Sequence, residues 1–206
     1  MTVLLGVAIL LLHTSCTKQA PAPLGPIDDW RVVGSQNSSY EFGIDESVAQ
    51  EGKASASIRS IKDTINGYGA FMQSIEPDKY YGRRVRMTGY LKTENVSGYA
   101  SLWLRVDSDT ITVAFDNMHI GASDRSIKGT TDWKRYAIVL DVPANSTLIS
   151  YGALLSGTGQ VWFDNVAIEI VDTSVATTGV FAPSDEQHPR KENGAFAKPL
   201  NLDFEK

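Results

Sequence analysis

The sequence predicts an all-β fold, an antiparallel two-sheet β-sandwich of the jelly-roll kind, on three observations. Short runs with period-two alternation of apolar and polar residues follow one another along most of the chain. Gly, Asn, Asp and Ser break these runs at close intervals, and almost nothing repeats at helical spacing. Many short strands without intervening helices favour a sandwich over a parallel α/β fold.

The predicted strands, in order, are 30–33, 40–44, 54–60, 70–75, 84–92, 99–106, 111–115, 134–142, 147–155 and 160–171. In 84–92, Val85, Met87 and Leu91 fall on one side and Arg84, Arg86, Thr88, Tyr90 and Lys92 on the other, the pattern of a sheet with one face packed and one wet. Residues 137–140 (AIVL) and 148–149 (LI) are apolar on both sides, which predicts interior strands covered on both faces or an apolar outer groove. A helix is expected only in short pieces, such as 77–81, where Pro77 suits a first helical turn.

The ends differ in composition. Residues 1–15 read as a bacterial lipoprotein leader, with an apolar run of about a dozen residues, shorter than the roughly 20 of a membrane-spanning helix, followed by Cys16 as the lipid acceptor. His13 stands where such leaders usually carry leucine, and the leader has no Lys or Arg. Cys16 is the only cysteine, so its lipidation would leave no thiol for a disulfide or for catalysis. Residues 16–27 then form a proline-rich tether and 28–172 the sandwich, with 173–198 as a linker or surface loop. Leu200, Leu202 and Phe204 alternate with polar residues, which predicts that 199–206 returns to the sandwich as an edge strand; the rival reading is the start of a truncated further module. The expected location is the cell envelope, outside the cytoplasm, with the membrane met through the lipid alone.

Charge and motifs narrow the function. The net charge of −5 and the scatter of Lys and Arg among acids provide no basic stripe, which disfavours nucleic acid as a partner. There is no G-x-S-x-G, H-E-x-x-H or P-loop motif, and only His119 and His188 lie beyond the leader. The expectation is therefore a binding domain and not an enzyme. A cryptic hydrolase would need His119 or a tyrosine clustered with acids.

Residues 129–143 (GTTDWKRYAIVLDVP) and 151–166 (YGALLSGTGQVWFDNV) resemble the closing part of jelly-roll carbohydrate-binding modules and other galactose-binding-like domains. Residues 45–58, 82–93 and 101–107 fit the same order of elements, so that the similarity runs from Trp30 to Val171. It implies a glycan or glycan-bearing polymer as ligand, held by aromatic faces and planar polar groups. Trp103, Arg105 and Asp107 share one face of their strand, about 7 Å apart, and Gln73 and Tyr90 are the expected additions. The alternative is that Trp103 packs under a loop and Arg105 pairs with Asp107, in a structural or protein-interaction lipoprotein serving a separate enzyme. The resemblance also implies a structural calcium held by Asp164 and the backbone carbonyls of Gly52 and Lys53; the rival reading is an Asp164 hydrogen-bonded to backbone amides in a turn.

Overall fold

The computed structural model describes residues 22–109, 111–120, 124–179 and 194–206. Cys16, the leader and His188 lie outside the described residues. Within them the chain forms β1 (Arg31–Val33), β2 (Tyr40–Asp45), β3 (Ser55–Ser60), β4 (Tyr68–Ile75), β5 (Arg83–Ser108), β6 (Ile111–Asp116), β7 (Ile127–Val142), β8 (Leu148–Ser156) and β9 (Gln160–Val171), with single 3-10 turns at Asn37–Ser39 and Asp78–Tyr80. All strand pairs are antiparallel.

The runs 84–92 and 99–106, expected as two strands, are one strand of 26 residues. The first half of β5 pairs with β9 and β7, and β9 continues through β3 to β2. Its second half pairs with β8 and β6, and β8 continues through β4 to β1. The chain is thus a two-sheet sandwich, with sheet I ordered β2-β3-β9-β5-β7 and sheet II ordered β1-β4-β8-β5-β6. Both inner faces meet in one core.

The side-chain pattern of β5 records its passage between sheets. Val85, Met87 and Leu91 enter the core from the first half, and Ala100, Leu102, Leu104 and Val106 from the second. Odd-numbered residues point inward before the crossing and even-numbered ones after it, because the register slips at Leu91/Thr93, Thr93/Val96 and Val96/Ala100 in the pairing with β7. Irregularities of this kind bend a strand and re-aim its side chains.

Residues 138–140 are buried on both faces, as expected, but not in an interior strand. β7 pairs only with β5 and is an edge. Ile138 and Leu140 point into the core, and the open edge is closed by Thr178, which donates its amide to the Val139 carbonyl (2.9 Å) and accepts the Val139 amide on its hydroxyl (2.9 Å). Residues 148–149, by contrast, lie in β8, between β4 and β5. The supposed tether is docked from residue 22 onward: Gly25 and Ile44 exchange both backbone hydrogen bonds (2.7 and 3.0 Å), and Leu24 donates to the Glu41 carboxylate (3.2 Å). An unpaired edge of β2 is covered in this way.

The C-terminal segment lies on the sandwich without forming the expected edge strand. Asn201 (φ 45°) and Phe204 (φ 55°) adopt left-handed backbone, which interrupts an extended run and so prevents a ladder. Side chains hold the segment instead. Gln73 accepts the Leu200 amide on Oε1 (2.9 Å) and donates Nε2 to the Leu200 carbonyl (2.9 Å), copying the exchange a neighbouring strand would make. Trp30 donates its indole N–H to the Asn201 carbonyl (3.0 Å), and Val166 donates its amide to Leu202 (2.9 Å). Phe204 is fully buried against Trp30 and Phe163, with ring centroids 5.4 Å from each, while Trp30 stands edge-on to Tyr151 and Phe163 at 5.6 Å.

Gln73 also donates to the Asp29 carbonyl (3.1 Å) and accepts the Tyr151 hydroxyl (2.5 Å). Replacing it with Leu would leave these buried groups without partners, at about 1 to 3 kcal/mol for each group not rescued by water. Gln73→Leu is expected to lower stability by about 3 kcal/mol or more; a urea midpoint within error of the parent would refute this role.

Candidate functional site

The outer face of sheet II is assembled from residues that alternate with the core. On β5, Tyr99, Trp103, Arg105 and Asp107 point away from Leu102, Leu104 and Val106. The registers set Trp103 opposite Gly152, Arg105 opposite Ser150 and Phe115, and Tyr99 opposite Ser156, with Ala70, Met72 and Ser74 on β4 beyond.

Trp103 forms the floor of this face. The β4–β8 pairing is interrupted between Ala70↔Leu154 and Gln73↔Tyr151, and the Phe71 carbonyl in that gap accepts the Trp103 indole N–H (3.2 Å). Gly152 makes room for both: a Cβ there would stand 2.0 Å from the Phe71 oxygen and 3.2 Å from the indole nitrogen. The indole packs with Ala70, Met72 and Leu154 and is 7% exposed. The expected stacking platform is therefore a covered side chain, because Gly152 lets the indole reach the Phe71 carbonyl and pack on Ala70, Met72 and Leu154.

Arg105 and Asp107 do share the Trp103 face, but they bind each other. Arg105 Nε donates to Asp107 Oδ2 (2.8 Å), and Thr112 donates its hydroxyl to Oδ1 (2.8 Å). Gln73 is not on this face. It is 1% exposed on the inner side of β4, with its amide committed to the C-terminal segment. Tyr90 lies on the first half of β5 between Asp164 and Arg135, on the outer face of sheet I. The crossing of β5 puts it on the opposite side of the sandwich from Trp103.

Aromatic surface is instead offered at the other end of the face. Tyr68 on β4 and Tyr99 on β5 are both register partners of Ser156, which sets them about 10 Å apart across two strand spacings. Tyr68 is 42% exposed and Tyr99 half-buried. His119 stacks on Tyr99 with ring centroids 4.1 Å apart and 20° between planes. Burial, then the nearby Tyr68 and Asp124, raises the Tyr99 phenol above its usual range, so it stays protonated at neutral pH. Asp124 is 3.5 Å from His119 Nδ1, and the Ser126 hydroxyl and amide hold its carboxyl well below the usual range. His119 is thus a surface residue beside a tyrosine, an acid and a serine whose hydroxyl donates to that acid. The sequence held one signal for this group: Tyr99 has the same parity as Trp103 in its strand.

The residues proposed for calcium are arranged otherwise. Asp164 is fully buried, and its carboxylate accepts the amides of Gln50 (2.8 Å), Glu51 (3.5 Å) and Asn165 (2.7 Å). Burial raises its pKa, opposed by those amides and reinforced by the charge of Glu205. Gly52 carries no bond to Asp164, and the Lys53 amide donates to Glu205 (2.7 Å). Calcium is held by oxygen ligands, whereas this loop presents N–H donors to both carboxylates. Among the described residues no three His, Cys, Asp or Glu side chains group as a metal site. The bonds on Asp164 are those of the rival reading, backbone amides on a buried carboxylate.

No protein-family model matches the chain. Its fold is that of carbohydrate-binding jelly-roll modules: it is similar to the CBM22-1 xylan-binding domain of Xyn10C from Paenibacillus barcinonensis, at 18% identity and a TM-score of 0.50, over 72% of this chain and 90% of that one. The C-terminal family 22 carbohydrate-binding module of Clostridium thermocellum Xyn10B is also similar, at 11% identity and a TM-score of 0.47, over 73% and 90% of the two chains. In sequence, the chain is 43% identical over 178 residues to a Bacillus subtilis protein named "Uncharacterized HTH-type transcriptional regulator YbfP", covering 85% of this chain and 56% of that protein. The chain therefore spans little more than half the length of this relative. The described residues contain no α-helix, and so no helix-turn-helix.

Removing the Trp103 side chain would empty the floor of the face. Trp103→Ala is expected to cost about 3 to 5 kcal/mol, and Trp103→Phe, which loses chiefly the bond to Phe71, about 1 kcal/mol. Chemical denaturation distinguishes the two, and an alanine variant as stable as the parent would show that the indole is not a packed floor.

Proposed function

We propose that the domain is a non-catalytic binding module for a glycan or glycan-bearing polymer, taken on the outer face of sheet II. The observation that carries the proposal is the pair of tyrosines standing either side of Ser156, Tyr68 exposed and Tyr99 half-buried with His119 stacked on its ring. Tyrosine offers an apolar face for a sugar ring together with a polar hydroxyl. Trp103, Met72 and Leu154 support the surface from below, and the Arg105–Asp107 pair bounds it with groups that already have partners. A binding role fits the site better than a catalytic one, since Ser126 donates to Asp124 and His119 lies against Tyr99. The xylan named for the structural neighbour makes that polymer the first to try.

Affinity electrophoresis and calorimetry against xylan, β-glucans, galactans and mannans provide the test. At least one polymer should bind, and Tyr68→Ala and Tyr99→Ala should each weaken it about tenfold, equivalent to about 1.4 kcal/mol. Absence of binding across the panel, or tyrosine variants that bind like the parent, would overturn the proposal.

The placement of the module at a cell envelope rests on the leader and Cys16. In this reading a diacylated cysteine tethers the sandwich outside the cytoplasm. Radiolabelled palmitate should be incorporated in a bacterial host and lost in Cys16→Ala; labelling that persists in the variant, or never occurs, would refute the anchor.

A further inference from the structure

The loop between β2 and β3 is built to hold anions. Gln50 and Glu51 aim their amides at Asp164, and the next two donors, Lys53 (2.7 Å) and Ala54 (3.1 Å), converge on one oxygen of Glu205. Successive backbone N–H groups of this kind form a concavity for a carboxylate. Gly52 between them is in left-handed backbone (φ 76°), and a Cβ at that position would lie 2.3 Å from the Glu205 oxygen. The loop is fixed to β9 from its other side, where Asn165 donates its side-chain amide to Gln50 (2.6 Å). Glu205 follows Phe204, which is buried in the core, so the carboxylate enters the concavity as the end of a segment already held at Leu200, Asn201 and Leu202.

We propose that the Glu205 carboxylate is a lock that fastens the C-terminal segment to the β2–β3 loop, in place of the structural calcium that the sequence resemblance implies. A cation would require the loop to turn carbonyl oxygens toward the acids, while the lock requires the N–H groups that the loop presents. Asp164 and Glu205 are joined through amide donors on one loop. Removal of Glu205 charge should free Lys53 and Ala54 first and leave the strands of sheet II intact.

The test uses the full chain. Thermal melting in millimolar calcium and in excess chelator should give the same midpoint. Glu205→Gln should lower the midpoint by several degrees, with Glu205→Asp in between, and hydrogen exchange at the Lys53 and Ala54 amides should accelerate about tenfold or more while Leu102 and Leu104 keep their protection. A midpoint raised by calcium in the parent would overturn the proposal. So would unchanged exchange at Lys53 and Ala54 in Glu205→Gln, or a loss of protection spread evenly over β5, which would mean that the residue acts on global stability and not as a local lock.

Discussion

The structure depends on one strand being hydrogen-bonded into both sheets. The 26 residues of β5 serve β7 and β9 with one half and β8 and β6 with the other. Because the backbone is continuous, the two sheets cannot slide independently, and the register slips between Leu91 and Ala100 fix which side chains each sheet sends inward. The same slips separate Tyr90 from Trp103. Thirteen positions apart, they have opposite parity, and the two sheets carry them to opposite outer faces of the sandwich.

That constraint explains why the candidate face differs from a simple row of functional groups on β5. A strand offers only every second residue to a face, so recognition has to draw on neighbouring strands. The registers bring Tyr68 from β4 and Tyr99 from β5 to either side of Ser156, although 31 positions part them in sequence. The polar residues of β5, by contrast, find partners within the face itself. Arg105 and Asp107 lie two positions apart on one strand and bind each other, a pairing that leaves neither charge to dominate the recognition of a ligand.

Side-chain amides and indoles take over where backbone ladders stop. Gln73 gives the Leu200 backbone the two bonds of a strand neighbour, Thr178 does the same for Val139 at the edge of β7, and Trp103 uses a carbonyl exposed by the gap between β4 and β8. Each of these buried or edge groups would otherwise lack a partner, which is costly away from water.

What the sequence by itself determined is the class of fold and the sidedness of its strands: period-two alternation in 84–92 and 102–107 is a direct consequence of the pleat, and it assigned Val85, Met87, Leu91, Leu102, Leu104 and Val106 to the core. It also placed Trp103, Arg105 and Asp107 together on one face. Only the tertiary structure decided what that face exposes. Alternation is local, whereas exposure depends on what packs across strands far apart in the chain. Gly152 and the Phe71 carbonyl cover Trp103, the C-terminal segment engages Gln73, and the continuous β5 removes Tyr90 to the other sheet. Asp164 shows the same division. Its burial in a closing strand was legible as an acid within an apolar run, but its partners include the amides of Gln50 and Glu51, more than a hundred positions away, which only the folded loop brings to it.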